Sequence, residues 1–172
     1  MKSEDVLGAL KASILEGLDE AELRLAAETS IMVQFPPGCE VLEQGKIPQF
    51  AFLVVEGTVQ MRARMDGRAA TVAIVRPGQF CGLQALLLGQ PSVCASVSLG
   101  SVKLLMIPAA ELRRLAALSA PVALALAREV ARLDRAHEIE LVSHKMRSAV
   151  ERVAAWLVSE QKRTGSMTFE LG

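Results

Sequence analysis

The sequence predicts an α+β chain: an antiparallel β-roll or jelly roll with helices on its flanks and a long helix behind it. Three observations carry this. Between Ile31 and Ile107, short runs rich in Val, Phe, Leu and Met alternate with glycine-containing turns at close spacing, the pattern of a closed antiparallel fold. Before it, Val6, Leu7, Leu10, Ile14 and Leu15 recur at a helical period. After it, Val122 to Lys145 contains neither Gly nor Pro, so nothing interrupts a long helix.

In chain order, Ser3 to Leu15 is the first helix and Gly17 ends it. Asp19 followed by Glu22 is a capping-box spacing, and Leu23, Leu25 and Ala26 continue a second short helix. Ile31, Val33 and Phe35 then alternate with Met32 and Gln34 as a strand, which Pro36-Pro37-Gly38 stops. A short segment through Glu40-Val41-Leu42 follows, then a strand from Phe50 to Val55 turned by Glu56-Gly57. Val59 to Arg64 and Ala70 to Val75 flank Asp66-Gly67, a dipeptide suited to a two-residue hairpin. From Val75 to Val97 the chain reads as strand, Pro77-Gly78 turn, strand, an apolar helix from Leu83 to Leu88 bracketed by Gly82 and Gly89, and strand. Ser101 to Ile107 closes the sheet. Pro108 opens a helix that ends near Leu118-Ser119. The long helix follows Pro121. Met146 to Lys162 is a further amphipathic helix broken by Arg163-Thr164-Gly165-Ser166, with Met167 to Leu171 extended.

The totals narrow the function. The chain has 172 residues, 51% of them hydrophobic, with five Phe, one Trp and no Tyr, so the core is aliphatic. Lys+Arg and Asp+Glu both number 19, so no net basic charge points to a nucleic-acid surface. No apolar run is long enough for a membrane span and the N-terminus lacks a signal peptide's apolar core; the expected location is cytoplasmic. Three cysteines, Cys39, Cys81 and Cys94, have no C-x-x-C spacing and read as small buried hydrophobes. No G-x-S-x-G, H-E-x-x-H or G-x-x-x-x-G-K motif occurs, and no strand carries a histidine, so no enzyme is expected.

Along the long helix, Leu126, Val130, Leu133, His137, Glu140 and His144 are spaced four, three, four, three and four residues apart, a heptad seam. A seam of this kind calls for a partner helix, and a parallel homodimer is expected through these six residues. The opposite face, with Leu124, Ala127, Ala131 and Ile139, is expected to pack in part on the roll. His137 and His144 leave three readings: metal ligands, a protonation-sensitive seam around Glu140, and the wet end of a coiled coil. Their seven-residue separation is wider than the i, i+4 spacing of helical metal ligands, which favours the last.

Two stretches carry a resemblance. PPGCEVLEQG at Pro36–Gly45 and Phe80-Cys81-Gly82-Leu83-Gln84-Ala85-Leu86 with Pro91-Ser92-Val93-Cys94-Ala95 resemble the cyclic-nucleotide-binding domain. Together with the long helix they resemble the sensor half of a Crp/Fnr-type bacterial transcription regulator. The family patterns are roughly PPGEVLFEQGD and F-G-E-L-A-L followed by P-R-S/T-A-T, the latter being the phosphate-binding cassette. The resemblance implies an effector pocket at Phe80, Gly82, Leu83, Gln84, Ala85, Ser92, Val93 and Cys94. The family's ribose-binding glutamate falls on Leu83 and its phosphate-binding arginine on Ser92, so ordinary cyclic AMP is not the expected effector.

The resemblance further implies a sensor domain over residues 1–118, a dimerisation helix over 119–145, and the start of a winged helix-turn-helix domain over 146–172. It implies DNA as partner through a domain of which this chain holds only the beginning, the chain itself reading as truncated. Some family members sense gases through haem or iron–sulfur clusters. No cysteine precedes Cys39, which argues against a cluster. For haem, Cys81, Cys94 and the two histidines are the candidate ligands. The sequence names no effector and no cofactor. Two alternatives stand beside the regulator: a haem- or redox-based gas sensor of the same family, and a similar module within a protein that does not bind DNA, such as a channel or kinase regulator.

Overall fold

A computed structural model describes residues 3–11, 13 and 19–164. The chain forms two compact units, Met1–Val130 and Ala131–Gly172.

Among the described residues the first unit holds eight strands: β1 (Ile31–Phe35), β2 (Glu40–Leu42), β3 (Phe50–Glu56), β4 (Val59–Met65), β5 (Arg68–Val75), β6 (Phe80–Cys81), β7 (Ala95–Ser98) and β8 (Val102–Pro108). They form two four-stranded antiparallel sheets, in the orders β1-β8-β3-β6 and β2-β7-β4-β5. Helices α1 (Ser3–Lys11), α2 (Glu20–Thr29), α3 (Leu83–Leu88) and α4 (Ala109–Leu118) flank them, and α5 (Ala120–Met146) begins in this unit. This is the roll with flanking helices that the sequence predicts.

Side-chain alternation on β3 and β8 sets the layers. Ala51, Leu53, Leu105 and Ile107 join Leu10, Leu23, Leu112 and Leu126 of the helices in one buried cluster. Their neighbours Phe52, Val54, Val102 and Leu104 join Val59 and Val75 of the second sheet in another. The first sheet is therefore the middle layer, apolar on both faces, which its near-continuous run of hydrophobic residues requires.

Turn chemistry fixes the register. Asp66 (φ 51°) and Gly67 (φ 74°) are both left-handed, as the two-residue hairpin between β4 and β5 needs. Gly57 has φ 82°, and a Cβ there would lie 2.6 Å from the Ser101 carbonyl oxygen; both facts restrict the site to glycine.

Several elements depart from the sequence reading. On β1 the buried residue is Met32, with Ile31 59% exposed. β1 pairs only with β8 at the sheet edge, and it presents Met32 to the helical cluster and Phe35 to the cluster between the sheets. In α2 Leu25 is exposed, while Leu23, Ala26 and Ala27 are buried. The Asp19 side chain accepts from the Glu22 amide at 2.8 Å. The Glu22 carboxylate does not complete the capping box; it accepts from the Ser119 hydroxyl. The readings that touch Ile14, Leu15, Gly17 and residues 165–172 lie outside the described residues.

The two faces of α5 are exchanged relative to expectation. Val122, Leu126 and Glu129 are buried, with Ala125 and Val130 packed beside them, while Leu124 and Ala127 point outward. Periodicity reveals two apolar faces but not which one the protomer itself covers.

In the second unit α5 ends at Met146 and α6 runs from Ala149 to Thr164. The predicted helix from Met146 is thus cut at Arg147-Ser148. Ser148 donates from both its amide and its hydroxyl to the Glu151 carboxylate at 2.7 Å, and the Glu151 amide donates to the Ser148 hydroxyl at 3.4 Å. This is a capping box that starts α6.

Candidate effector site

The site grows from one short helix. Gly82 precedes α3 with φ 77° and Gly89 follows it with φ 64°, both left-handed. A Cβ on Gly82 would lie 3.0 Å from Leu42 Cδ2 and 3.7 Å from Pro48 Cγ, so glycine also permits the close approach of the loop before β3. Leu83 and Leu86 anchor α3 in the helical core at 1% and 0% exposure. The chain leaves α3 through Gly89, whose amide donates to Leu86 O at 3.2 Å, and Gln90, whose amide donates to Ala85 O at 3.0 Å. The Arg113 guanidinium of α4 donates to the same Leu86 carbonyl at 2.6 Å.

The predicted pocket residues divide sharply. Phe80 and Leu83 are core residues. Gln84 and Ala85 are half-buried. Ser92 is buried and its polar groups face its own neighbourhood. Its amide donates to Lys46 O and its carbonyl accepts from Gly45 N, both at 2.8 Å; its hydroxyl donates to Cys94 O at 2.7 Å. Val93, next to it, is 79% exposed. Cys94 is buried again. Ser92 therefore faces inward and Val93 outward at this turn; the sequence reading places the family's arginine at the inward position, Ser92. From Gln79 to Ser101 no Asp, Glu, Lys or Arg occurs, so the cassette is uncharged throughout.

Cys81 lies at 0% exposure between the sheets. Burial pushes its thiol from 9.0 up to about 12, with the Ser96 hydroxyl pulling weakly the other way. Burial raises the Cys94 thiol as well. Both sulfurs are held as neutral thiols, a poor state for redox chemistry or metal ligation.

Of the predicted seam, Leu126 is 2% exposed inside the protomer's own core, and Val130 packs against that core. Leu133 and His137 are half-buried, and Glu140 and His144 exposed. His144 Nε2 lies 3.9 Å from Glu140 Oε1. Among the described residues no group of three or more His, Cys, Asp or Glu is placed to hold a metal ion. No described helix is long and apolar enough to cross a membrane.

Two antiparallel four-stranded sheets with a glycine-bracketed short helix between β6 and β7 are the architecture of a cyclic-nucleotide-binding-type roll. The cyclic nucleotide-binding domain family matches residues 32–119, and the chain belongs to it. Among solved structures it is similar to the Thermus thermophilus catabolite activator protein, at 27% identity and TM-score 0.67 over 88% of this chain and 71% of that one. It is also similar to the N-terminal domain of a transcriptional regulator from Streptomyces coelicolor, at 27% identity and TM-score 0.60 over 74% and 92% of the two chains. The regulatory domain of Toxoplasma gondii PKA, solved with cAMP, shares the fold at 20% identity and TM-score 0.67 over 76% of this chain; the present chain spans 50% of that one.

Proposed function

We propose that this chain is the effector-sensing and dimerising part of a Crp/Fnr-type transcription regulator whose effector is not ordinary cyclic AMP. The observation that carries the reading is the uncharged cassette: Leu83 lies in the core, the Ser92 hydroxyl is spent on the Cys94 carbonyl, and Val93 is aliphatic and open. A charge-assisted hydrogen bond contributes about 1.5–3 kcal/mol. Lacking both an acid for the ribose and a guanidinium for the phosphate weakens a cyclic nucleotide by about two to four orders of magnitude. The effector is a less charged molecule held near Val93, Gln84 and Ala85.

Dimerisation runs through α5. Within the second unit Leu133, His137, Glu140 and His144 remain as the seam, flanked by the exposed apolar residues Ile139 and Val142. The domain boundaries proposed are residues 1–118, 119–145 and 146–172. In this reading α6, with Val150, Val153 and Trp156 exposed, opens a DNA-binding domain, so that DNA is the partner of the complete regulator. Identity favours the regulator reading over a kinase module: 27% to the Thermus activator against 20% to the Toxoplasma kinase regulatory domain.

Native mass spectrometry of the freshly purified chain tests the whole reading. The expected species is a dimer of the 18.4 kDa chain carrying no cyclic nucleotide. A monomer at tens of micromolar, or a retained cyclic nucleotide, overturns it.

A further inference from the structure

Three serines lie buried along the segment that leaves the cassette, and one of them differs from the others. The Ser92 hydroxyl donates to Cys94 O at 2.7 Å. The Ser98 hydroxyl donates to Pro36 O at 2.6 Å and accepts from Cys39 N at 2.9 Å. Ser96 is 0% exposed, and its Oγ has no hydrogen-bond partner among the described residues. It points into the space between the sheets. Met61, its cross-strand neighbour on β4, packs on the inter-sheet cluster, and Leu42 is its neighbour on β2. Leu42 Cδ2 is the atom that a Cβ on Gly82 would meet at 3.0 Å, so Ser96 stands beneath the start of the cassette. From the other sheet comes Cys81, next to Gly82 in the chain and wholly buried. Its thiol senses the Ser96 hydroxyl, but the two do not meet in hydrogen-bond geometry.

A buried hydroxyl without a partner destabilises the fold, where an alanine would not. The surroundings define what could bond it. Phe52, Val59, Met61 and Val75 are apolar, no charged residue occurs between Gln79 and Ser101, and the Cys81 thiol is a weak donor. A carboxylate or an ammonium would be stranded there. A lone water, which needs about two to four polar partners, would find one hydroxyl and one weak thiol. A neutral oxygen on an apolar body fits both the donor and the walls. We infer that Ser96 is the hydrogen-bonding anchor of the effector site, holding the oxygen of an uncharged, largely apolar molecule that ends in a carbonyl or hydroxyl group. This deepens the sensor reading and rests on it for the location of the site. Exposed Val93 and buried Ser96 are three residues apart, about 10 Å of extended chain, so a molecule of about that length spans from the open end to the anchor.

The test compares Ser96→Ala with Ser98→Ala, two hydroxyl deletions on the same face of β7, in the whole chain. Without ligand, Ser98→Ala loses its main-chain contacts and its Tm falls by about 2–6 °C. Ser96→Ala loses none, and its Tm stays within about 2 °C of wild type or rises. A Ser96→Ala that melts lower than that, or does not fold, reveals a structural bond and overturns the inference. Binding is read by amide chemical-shift titration with 2-heptanone, with 2-methyl-1-heptene, in which a methylene replaces the oxygen, and with heptanoate. In wild type 2-heptanone moves the Cys81 and Ser96 amides saturably, the alkene binds about fivefold more weakly, and heptanoate moves neither. Ser96→Ala loses the same factor of about five for the ketone and nothing for the alkene. No saturable shift with 2-heptanone, equal affinity for ketone and alkene, or undiminished ketone binding by Ser96→Ala each overturns the inference. Binding of heptanoate as tight as that of the ketone does the same. Cyclic AMP found to bind would refute the effector class of the sensor reading without altering the melting shifts or the ketone-to-alkene ratio, so the two failures are told apart.

Discussion

Placing an arginine at each of two adjacent cassette positions separates an inward from an outward side chain. Ser92 is 6% exposed and Val93 79% exposed. Ser92→Arg deletes the hydroxyl that donates to Cys94 O at 2.7 Å, leaving a buried carbonyl short of a partner at about 1–3 kcal/mol. It also drives a guanidinium into a closed site or forces the turn open, which adds a further amount of at least about 1 kcal/mol. The sum is about 2–4 kcal/mol, or a fall in Tm of about 4–16 °C for a chain of this size. Val93→Arg replaces an exposed side chain and stays within about 0.5 kcal/mol of wild type. Thermal unfolding followed by circular dichroism, with urea titration for the free energies, reads both variants. The cassette geometry predicts a further asymmetry: only Val93→Arg gains cyclic AMP affinity, by about 10- to 100-fold for one new charge-assisted contact. A stable Ser92→Arg beside an unstable Val93→Arg would refute the placement of this turn.

Three further outcomes follow from the structure. Gly57→Ala must hold φ 82° with a Cβ 2.6 Å from a backbone oxygen and is expected to lose more than about 2 kcal/mol in urea titration; a loss below 0.5 kcal/mol, by the same order-of-magnitude scale, contradicts the turn. The Cys81 thiol, raised from 9.0 to about 12, ionises in the unfolded chain before it does in the folded one. Its contribution to stability is therefore fully present below pH 9.0 and is lost as pH climbs toward about 12. Cys81→Ala should flatten that decline in pH-dependent denaturation, and an unchanged slope would argue against the thiol's burial. Ser148→Ala removes the cap of α6 at a cost of about 1 kcal/mol, read as faster exchange at Arg152, whose amide donates to Ser148 O at 3.0 Å; unaltered exchange there would deny the cap.

How far the fold could be read from the chain depends on the kind of signal. Asp66-Gly67, Pro36-Pro37-Gly38 and the pair Gly82 and Gly89 act locally through backbone sterics, and the turns and α3 lie where these residues put them. Face assignments were harder. Met32 outranks Ile31 and Phe35 because the edge strand β1 meets a helical cluster on one side, which no local rule states. Leu126 and Leu124 sit on two apolar faces of one helix, and only the roll's own shape selects the first. Ser148 with Glu151 was a legible cap signal hidden within an amphipathic run. In the site, the loss of charge between Gln79 and Ser101 is plain in the sequence, but the inward turn of Ser92 depends on its pairing with Lys46, far away in the chain. Arg113 gave no signal at all, because its acceptor is a main-chain carbonyl on another element.

The central claim is that a cyclic-nucleotide-binding scaffold persists here with an uncharged cassette. Isothermal titration calorimetry of the wild-type chain with cyclic AMP and cyclic GMP tests it most directly. No saturable heat is predicted up to millimolar nucleotide. A stoichiometric isotherm in the micromolar range for either nucleotide would contradict it.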